Sequence, residues 1–392
     1  MKTLFLTLLL PIFSYGQTDF LVKAAEKKAI QNLKGCTSQV INPHLGGDIL
    51  KVRCENTYSL MGLSPLENLQ FEEETVWRTF QFETFRLSEL NDPMANDQWA
   101  LDTLRINEFW NKQSRGSDQV KVAVIDTGID YEHEDLAANI GINTKEIPNN
   151  KIDDDKNGYV DDVYGWNSYD NNNFAMDTYR HGTHVSGIIG AKPGNGIGVA
   201  GLNWNVALIP IRFIGANGGG STESAIRAFD YAVARGAKIV NASWGGAKDS
   251  PLLKETIARC RDKGVLVIAA AGNDTADNDK VPTYPASFDL DNIISVAATD
   301  LHEDLAYFTN WGKKTVHVAA PGASILSTIN EKKYGYLDGT SMAAPHITGV
   351  VALLWAKNPQ WSYQQIRSYI LKNCVQVPAW KDQIGCGGYF RF

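Results

Sequence analysis

The stretch Val122-Ala123-Val124-Ile125-Asp126-Thr127-Gly128 sets the pattern that organises most of this chain. Four apolar residues in a row lead directly into an aspartate and a small, turn-forming pair. A continuous apolar run, without the alternation of a half-buried strand, is typical of a parallel strand covered on both faces. The chain contains runs of this kind at residues 120–125, 207–212, 238–243, 265–271, 293–298 and 316–319.

Helical patterns separate these apolar runs. They cover residues 184–190, 221–235, 252–263 and 341–357. Buried strands that alternate with helices predict an α/β fold, in which a mostly parallel central sheet carries helices on both faces. In such sheets the functional side chains gather at the carboxyl ends of the strands.

A serine opens the last of these helical patterns, in the segment Gly339-Thr340-Ser341-Met342-Ala343-Ala344-Pro345. Taken alone, a serine followed by a proline in the first turn is interpreted as a helix N-cap. The same position also lies beside unpaired backbone N–H groups at the positive end of the helix dipole. That environment suits a nucleophile whose attack creates an oxyanion, so the segment leaves both interpretations open.

Three further polar residues stand at strand ends or helix starts. Asp126 ends its strand and is either a partner for a base or the cap of an Asx-turn. His181 opens a segment of small residues. A zinc site with His184 is disfavoured because the spacing of three, without an intervening glutamate, is not that of zinc hydrolases. Asn273 offers an amide to an oxyanion, or else serves as a turn residue.

Four motifs resemble a known family: Val-Ile-Asp-Thr-Gly-Ile-Asp at 124–130, His-Gly-Thr-His-Val-Ser-Gly at 181–187, Ala-Ala-Ala-Gly-Asn at 269–273 and Gly-Thr-Ser-Met-Ala-Ala-Pro-His at 339–346. On these motifs the chain from residue 91 onwards resembles the subtilisin-like serine proteases, which share the order Asp, His, Ser. The resemblance implies that Ser341 attacks a peptide carbonyl, His181 transfers the proton and Asp126 orients His181. It also implies that the Asn273 amide and the Ser341 N–H bind the oxyanion, while His184 is a packing residue.

The resemblance further implies that an extended peptide binds between two segments, as an added strand. These segments are Ser243-Trp244-Gly245-Gly246 and Asn217-Gly218-Gly219-Gly220, whose glycines admit a foreign backbone but also suit any surface turn. We therefore expect a serine endopeptidase that acts on proteins and peptides and prefers apolar or aromatic side chains. The alternative is a non-catalytic binding or scaffolding protein on a protease fold. It is disfavoured because every catalytic position carries the expected residue.

The residues before the motifs predict two additional segments. Residues 1–16 combine Lys2 with an apolar run over 4–13 and small residues at Ser14 and Gly16, the pattern of a cleaved secretory signal peptide. Residues 17–88 predict a small α+β domain, with a helix over 20–33 and a strand over 49–53. Its segment 62–69 resembles the end of the family's inhibitory prodomain, and the peptidase domain is expected over 89–392. We expect a secreted or periplasmic zymogen whose own prodomain inhibits it.

Export would place the five cysteines in an oxidising compartment. Two pairs each flank a short segment, which predicts local disulfides between Cys36 and Cys54 and between Cys374 and Cys386. Cys260 is left over and lies in an amphipathic helical pattern. It is expected to pack as a small apolar residue instead of reacting.

Calcium is the expected cofactor, as a structural ion. The segment Asp153-Asp154-Asp155-Lys156-Asn157-Gly158 places oxygen ligands at alternate positions before a turn glycine, as in the first half of an EF-hand loop. No glutamate stands at the twelfth position, so Asp161 or Asp162 would have to close the site. The alternative is an acidic surface turn, in which clustered carboxylates would repel one another without a counter-ion. A second site, suggested by the resemblance alone, comprises Asp92, Asp135 and Asn195.

Composition and charge narrow the range of partners. With 44% hydrophobic and 21% charged residues the chain has the composition of an ordinary globular protein. Its net charge of -7, without a basic tract, gives no support to a nucleic-acid partner. We expect a monomer whose partners are protein or peptide substrates, without membrane association once the signal peptide is removed.

Overall fold

The computed structural model describes residues 18–24, 36–40, 49–54, 69–73, 90–215 and 218–392. These residues belong to two compact units, Met1–Glu83 and Thr84–Phe392. The predicted signal peptide, residues 62–68 of the prodomain-like segment 62–69 and the predicted domain boundary at 88/89 lie outside the described residues.

The first unit contains a four-stranded antiparallel sheet. Its strands are β1 (Thr18–Ala24), β2 (Cys36–Val40), β3 (Ile49–Cys54) and β4 (Leu69–Glu73), in the order β2-β3-β1-β4. The predicted strand over 49–53 is confirmed. The helix predicted over 20–33 is wrong for residues 20–24, because β1 is a central strand whose backbone pairs with β3 and β4. Pairing along both edges outweighs a weak local helical preference.

The second unit is built on a nine-stranded sheet. Its strands are β5 (Gly116–Asp126), β6 (Trp166–Asn167), β7 (Asn205–Arg212), β8 (Ile239–Ala242), β9 (Leu266–Ala270), β10 (Ile293–Thr299), β11 (Val318–Pro321), β14 (Cys374–Gln376) and β15 (Gly388–Phe390), while β12 (Ile325–Ile329) and β13 (Lys333–Leu337) pair separately. The order is β14-β15-β11-β10-β9-β8-β5-β7-β6, and all neighbours are parallel except β14 and β15. The predicted, mostly parallel sheet is confirmed.

Helices accompany this sheet in the predicted places. They are α1 (Trp99–Thr103), α2 (Ile106–Lys112), α3 (His181–Gly190), α4 (Thr222–Ala234), α5 (Pro251–Asp262), α6 (Thr340–Lys357) and α7 (Tyr363–Lys372). The four predicted helices correspond to α3, α4, α5 and α6. Helix α3 begins three residues earlier than the pattern indicated, at His181 itself.

Strand β5 explains why the apolar runs are continuous. Val122 and Val124 belong to one buried cluster, whereas Ala123 and Ile125 belong to another. Helices α3 and α6 contribute to the first cluster, and α4 and α5 contribute to the second. Because both faces of the strand are buried over residues 122–125, each of these four positions requires an apolar side chain.

The strand order reverses at β5. The chain places β6 and β7 on one side of β5 and then crosses to build β8, β9, β10 and β11 on the other side. Such a reversal opens a crevice at the carboxyl ends of the strands. Asp126 is the last residue of β5, so it lies at this crevice.

The cysteines of the second unit behave as the sequence predicts. Cys374 and Cys386 form a disulfide, with Cα atoms 6.3 Å apart. Cys260 is free and buried in α5, and burial raises the pKa of its thiol to about 12, so it is not a nucleophile at neutral pH. In the first unit the strand register places Cys36 opposite Cys54, although their side chains lie outside the described part. Among the described residues, no helix combines the length and apolar character needed to cross a bilayer.

Candidate active site

Asp126, which is buried, and His181, which is partly exposed, form an acid–base pair. The His181 Nδ1 atom lies 2.7 Å from Asp126 Oδ1, which also accepts the Thr127 N–H at 2.7 Å. Asp126 is fully buried, and its Oδ2 atom has no hydrogen-bond partner among the described residues. When Nδ1 carries the proton and donates it to Asp126, the other ring nitrogen, Nε2, is left as a base.

Helix α3 packs tightly against the turn that follows Asp126. A Cβ atom at Gly182 would lie 2.1 Å from the Gly128 carbonyl oxygen, so only glycine fits there. The Gly182 N–H donates to the Thr127 hydroxyl oxygen at 2.9 Å. This close approach places the first residue of the helix, His181, beside the end of β5.

Two opposing effects set the pKa of His181. Burial lowers it, but the charge of Asp126 and the hydrogen bond to that carboxylate outweigh burial, so the pKa is raised above its usual value. The protonated imidazole, which forms when His181 accepts a proton as a general base, is therefore stabilised.

His184 has a different environment. Its Nε2 atom lies 2.9 Å from the Ile325 carbonyl oxygen, and burial lowers its pKa to about 3. The side chain is fully buried and faces the β12–β13 pair instead of His181. It packs the helix in place, as the resemblance implies, and forms no metal pair with His181.

Ser341 is the second residue of α6. The interpretation of Ser341 as a helix N-cap is wrong, since Gly339 occupies the N-cap position with φ of 147°, a conformation that side-chain-bearing residues rarely adopt. The Ser341 hydroxyl donates to the Ser243 carbonyl oxygen at 2.9 Å, and the Ser243 hydroxyl donates to the Ser341 carbonyl oxygen at 2.8 Å. The candidate nucleophile is thus tied to the residue that follows β8, and its proton does not point to His181 in this state.

Asn273 faces the same helix start. Its Oδ1 atom accepts the Thr340 N–H and the Thr340 hydroxyl, both at 2.9 Å. These two donors identify Oδ1 as the oxygen of the amide, which leaves the Nδ2 group free of acceptors among the described residues. The Ser341 N–H likewise has no acceptor in the described part of the chain. Both unpaired donors lie at the start of α6, since a Cβ atom on Gly339 would lie 3.3 Å from Asn273 Nδ2 and 3.5 Å from the Ser341 nitrogen. Two such donors beside a serine can stabilise an oxyanion.

The two predicted cleft segments follow the carboxyl ends of β8 and β7, and the first of them begins directly after β8. Trp244 donates its indole N–H to the Ile125 carbonyl oxygen at 2.9 Å, and its ring packs on Phe213 with centroids 4.5 Å apart. Gly246 pairs with Tyr284 through two backbone hydrogen bonds of 2.9 and 2.8 Å. A Cβ atom at Gly245 would lie 2.8 Å from the Thr283 methyl carbon, so this position is crowded.

The second cleft segment follows β7. Gly218, Gly219 and Gly220 are exposed, and Gly220 bridges back to Ile214, whereas Asn217 lies outside the described residues. The contact between Phe213 and Trp244 joins the two segments beneath the surface. The described residues of both predicted cleft segments thus lie at the carboxyl ends of the strands on either side of β5.

The sequence profile of the subtilase family matches residues 117–387. This chain belongs to the subtilase family. Subtilisin-like protease 1 of Plasmodium falciparum (isolate 3D7) is 35% identical to it over 322 residues, which are 76% of this chain and 46% of that protein. The major intracellular serine protease of Bacillus subtilis (strain 168) is 37% identical over 258 residues, 65% of this chain and 74% of the relative. The chain spans about half the length of the Plasmodium subtilisin-like protease 1 sequences that it matches.

An acidic cluster lies in a loop of this subtilase before β6. Carboxylate oxygens of Glu146, Asp155 and Asp162 lie within 4.8 Å of one another and could hold a metal ion. The Asn143 amide donates to Asp155 at 3.2 Å and to Asp162 at 2.7 Å. An all-oxygen set of this kind, with Glu146 and Asp162 buried, fits a hard cation such as calcium.

Glu146 is absent from the predicted ligand set, because it precedes the acidic motif and belongs to no recognisable spacing. Other predicted ligands hold the loop instead. Asp153 accepts the N–H groups of Asn157 and Gly158, at 3.0 and 2.8 Å, and the Asn157 amide donates to Asp162 at 3.2 Å. Asp161 accepts the N–H groups of residues 150 and 151, at 3.1 and 3.0 Å.

Asp92, Asp135 and Asn195 also lie together. Asp92 accepts three consecutive N–H groups, from residues 194, 195 and 196, at 2.7, 3.0 and 3.2 Å. The Asn195 amide donates to Asp135 at 2.7 Å, and the Val199 N–H donates to the other oxygen of Asp135 at 3.0 Å. Two carboxylates thus order the loop over residues 194–199.

Proposed function

We propose that this subtilase is a serine endopeptidase that hydrolyses peptide bonds in proteins. The proposal is carried by one arrangement: two unpaired N–H donors lie at the start of the helix that bears Ser341, and the buried Asp126 carboxylate holds His181 at 2.7 Å.

In the proposed reaction the Ser341 hydroxyl leaves the Ser243 carbonyl and attacks the carbonyl carbon of the peptide. His181 Nε2 takes the hydroxyl proton, and Asp126 stabilises the imidazolium that forms. The Asn273 amide and the Ser341 N–H bind the oxyanion. His181 then protonates the departing amine, and water releases the acyl group by the same steps in reverse.

The substrate is proposed to be an extended peptide lying between the Ser243–Gly246 and Gly218–Gly220 segments. The backbone of Gly218–Gly220 is exposed, which allows an added strand to approach. The aromatic contact between Phe213 and Trp244 lines the base of this region. These features favour a broad specificity for apolar or aromatic side chains.

A fluorophosphonate probe tests the proposed activity. Such probes react only with a serine that is activated by a neighbouring base and an oxyanion site. We expect covalent labelling of the purified protein at Ser341, located by peptide mass spectrometry, and loss of labelling after heat denaturation. A folded protein freed of residues 17–88 that takes up no probe would contradict the proposal and favour the scaffold.

We further propose that the chain is exported and made as a zymogen. The signal-like pattern of residues 1–16 supports export, as does the Cys374–Cys386 disulfide, since disulfides persist in oxidising compartments. A separate antiparallel unit ahead of the peptidase unit supports a prodomain. Residues 17–88 would act as the intramolecular inhibitor until they are removed.

Calcium is proposed as a structural ion, held by Glu146, Asp155 and Asp162 and, at a second site, by Asp92, Asp135 and Asn195. The clustered carboxylates support the first site, because their mutual repulsion falls when a cation neutralises them. Arg235 lies 3.4 Å from Asp162 and balances only part of that charge. The ion would stabilise the loop and take no part in the chemistry.

Removal of calcium is expected to lower the melting temperature of the protein. An ion present at about 100 times its Kd stabilises the folded state by about 2.7 kcal/mol, which corresponds to roughly 5 to 10 °C for a unit of this size. Scanning calorimetry with calcium and with chelator measures the difference.

The Glu146→Gln, Asp155→Asn variant should lose much of that difference in melting temperature. Asp153→Asn, whose carboxylate does not belong to the cluster, should keep it. Equal melting curves with and without chelator would count against both sites.

A further inference from the structure

Asp177 is a buried carboxylate that the reaction described above does not use. It lies four residues before His181 and is only 4% exposed. Its Oδ1 atom accepts the N–H groups of Tyr179 and Arg180 at 2.7 and 2.9 Å. Its Oδ2 atom accepts the Thr183 N–H at 2.9 Å and the Thr183 hydroxyl at 2.6 Å.

The hydrogen bonds of Asp177 define its charge state. The Thr183 oxygen accepts the Asp130 N–H at 2.9 Å, so its own hydrogen is directed to Asp177. Both oxygens of Asp177 are therefore surrounded by donors, which favours the ionised form. Burial raises the pKa of Asp177, and the hydrogen bonds from Thr183 and Tyr179 oppose that rise.

Arg180, the residue directly before His181, has a left-handed backbone with φ of 81°. A residue with a side chain adopts this conformation only when its surroundings impose it. Asp177 provides two of the bonds that impose it, through the N–H groups of Tyr179 and Arg180. A further hydrogen bond, from the Thr183 N–H to Asp177, caps the first turn of α3. The Arg180 side chain, at the N-cap position, makes no such bond.

The same turn is joined to the end of β5. The Asp177 N–H donates to the Ile129 carbonyl oxygen at 3.2 Å, and the Ile129 N–H donates to the Ala175 carbonyl oxygen at 3.1 Å. The turn that carries His181 and the turn that follows Asp126 are thus held to each other. The position of the imidazole over Asp126 depends on this junction.

We propose that Asp177 is a positioning residue for His181, which holds the strained turn at Arg180, caps α3 and adds a second negative charge beside the imidazole. The inference rests on the proposed peptidase function. Two carboxylates lie near His181, Asp126 from β5 and Asp177 from the preceding turn, whereas the His184 side chain of α3 is directed to β12 and β13. His184 is neutral, so the two carboxylates set the charge around the ring, and both raise the pKa of His181.

The Asp177→Asn variant tests this inference, because an amide of the same shape offers one acceptor atom in place of two. Half of the hydrogen bonds are lost and the charge disappears. We expect kcat to fall about 10- to 100-fold while KM changes little, as follows from a small displacement of a catalytic group. His181 must be neutral to accept a proton, and losing a nearby negative charge lowers its pKa. The acid limb of the kcat/KM profile should therefore move to lower pH.

Two companion variants separate position from charge. Thr183→Val removes one hydrogen bond to Asp177 but keeps the carboxylate, so the rate should fall without movement of the acid limb. Adding Arg180→Gly to Asp177→Asn relieves the backbone strain. The double variant should recover part of kcat and keep the shifted limb, and it also serves as the test if Asp177→Asn alone does not fold.

The possible outcomes distinguish this inference from the proposed function. A wild-type protein that neither hydrolyses peptides nor reacts with a fluorophosphonate overturns the function. An active wild type whose Asp177→Asn variant keeps the same kcat and the same acid limb overturns the role of Asp177. A variant with a lower melting temperature but an unshifted limb also overturns it. In the Ser341→Ala background, NMR titration of His181 should show the same downward shift without any turnover.

Discussion

Replacing Ser341 by alanine is expected to lower kcat about 10⁶-fold, the loss reported for the nucleophile of subtilisin itself. The remaining oxyanion donors and the cleft cannot substitute for a covalent intermediate. The substitution removes one neutral hydrogen bond, to the Ser243 carbonyl oxygen, so the melting temperature should fall by only about 2 to 4 °C. Hydrolysis of a fluorogenic peptide, measured on protein of matched purity, gives the ratio.

A second substitution shows whether the residues act as one unit. Adding His181→Ala to Ser341→Ala should reduce the rate no further, since a base without a nucleophile has nothing to deprotonate. Multiplicative losses would mean that His181 acts on another group.

N-terminal sequencing of the Ser341→Ala protein also tests the zymogen proposal, because self-processing predicts that the variant keeps residues 17–88. A mature N-terminus in that variant would point to a separate processing protease.

Replacing Asn273 by alanine is expected to cost about 10²- to 10³-fold in kcat, or roughly 3 kcal/mol, with KM almost unchanged. That figure comes from the corresponding asparagine of subtilisin. The unpaired Nδ2 group meets the oxyanion only once the tetrahedral intermediate forms, so its loss affects the transition state and not substrate binding. Steady-state kinetics on peptides of graded length measures the split.

Thr340→Val is the matched control for Asn273. It removes one of the two hydrogen bonds to Asn273 Oδ1 but leaves the Nδ2 donor in place. The loss should stay within about tenfold, the equivalent of one neutral hydrogen bond. If Thr340→Val costs as much as Asn273→Ala, orientation of the amide and not its presence limits the rate. If Asn273→Ala retains full kcat, the oxyanion site lies elsewhere.

Thr340 and Asp177 show which parts of the site the sequence could not reveal. Asp126, His181, Asn273 and Ser341 could be chosen in advance, because each stands in a distinct motif. Thr340 lies in the Ser341 motif, but that motif does not show that Thr340 holds Asn273, and Asp177 lies in none of the four motifs. Thr340 and Asn273 are 67 residues apart in the chain, and they come into contact only once α6 has packed against the sheet.

In the acidic loop, too, the sequence pattern identified only some of the residues that form the cluster. Alternate carboxylates predicted a cation site over 153–162, but the structure brings only Asp155 and Asp162 of these residues into the cluster, together with Glu146. Asp153 and Asp161 accept backbone N–H groups and shape the loop. A spacing rule describes one continuous loop, whereas here the ligands come from a chain that folds back on itself.

The amino-acid sequence by itself determined the parallel sheet, the helices beside it and the four catalytic candidates, because apolar runs and short motifs are local properties. Only the tertiary structure decided that Thr18–Ala24 is a strand, that Gly339 and not Ser341 caps α6, and that Ser341 donates to Ser243, 98 residues away. Each of these depends on a hydrogen-bond partner distant in the chain. For α6 such a partner exists only after the hydrophobic cores on both faces of the nine-stranded sheet have formed, and for β1 only after β3 and β4 pair with it in their own sheet. No local pattern of residues encodes either.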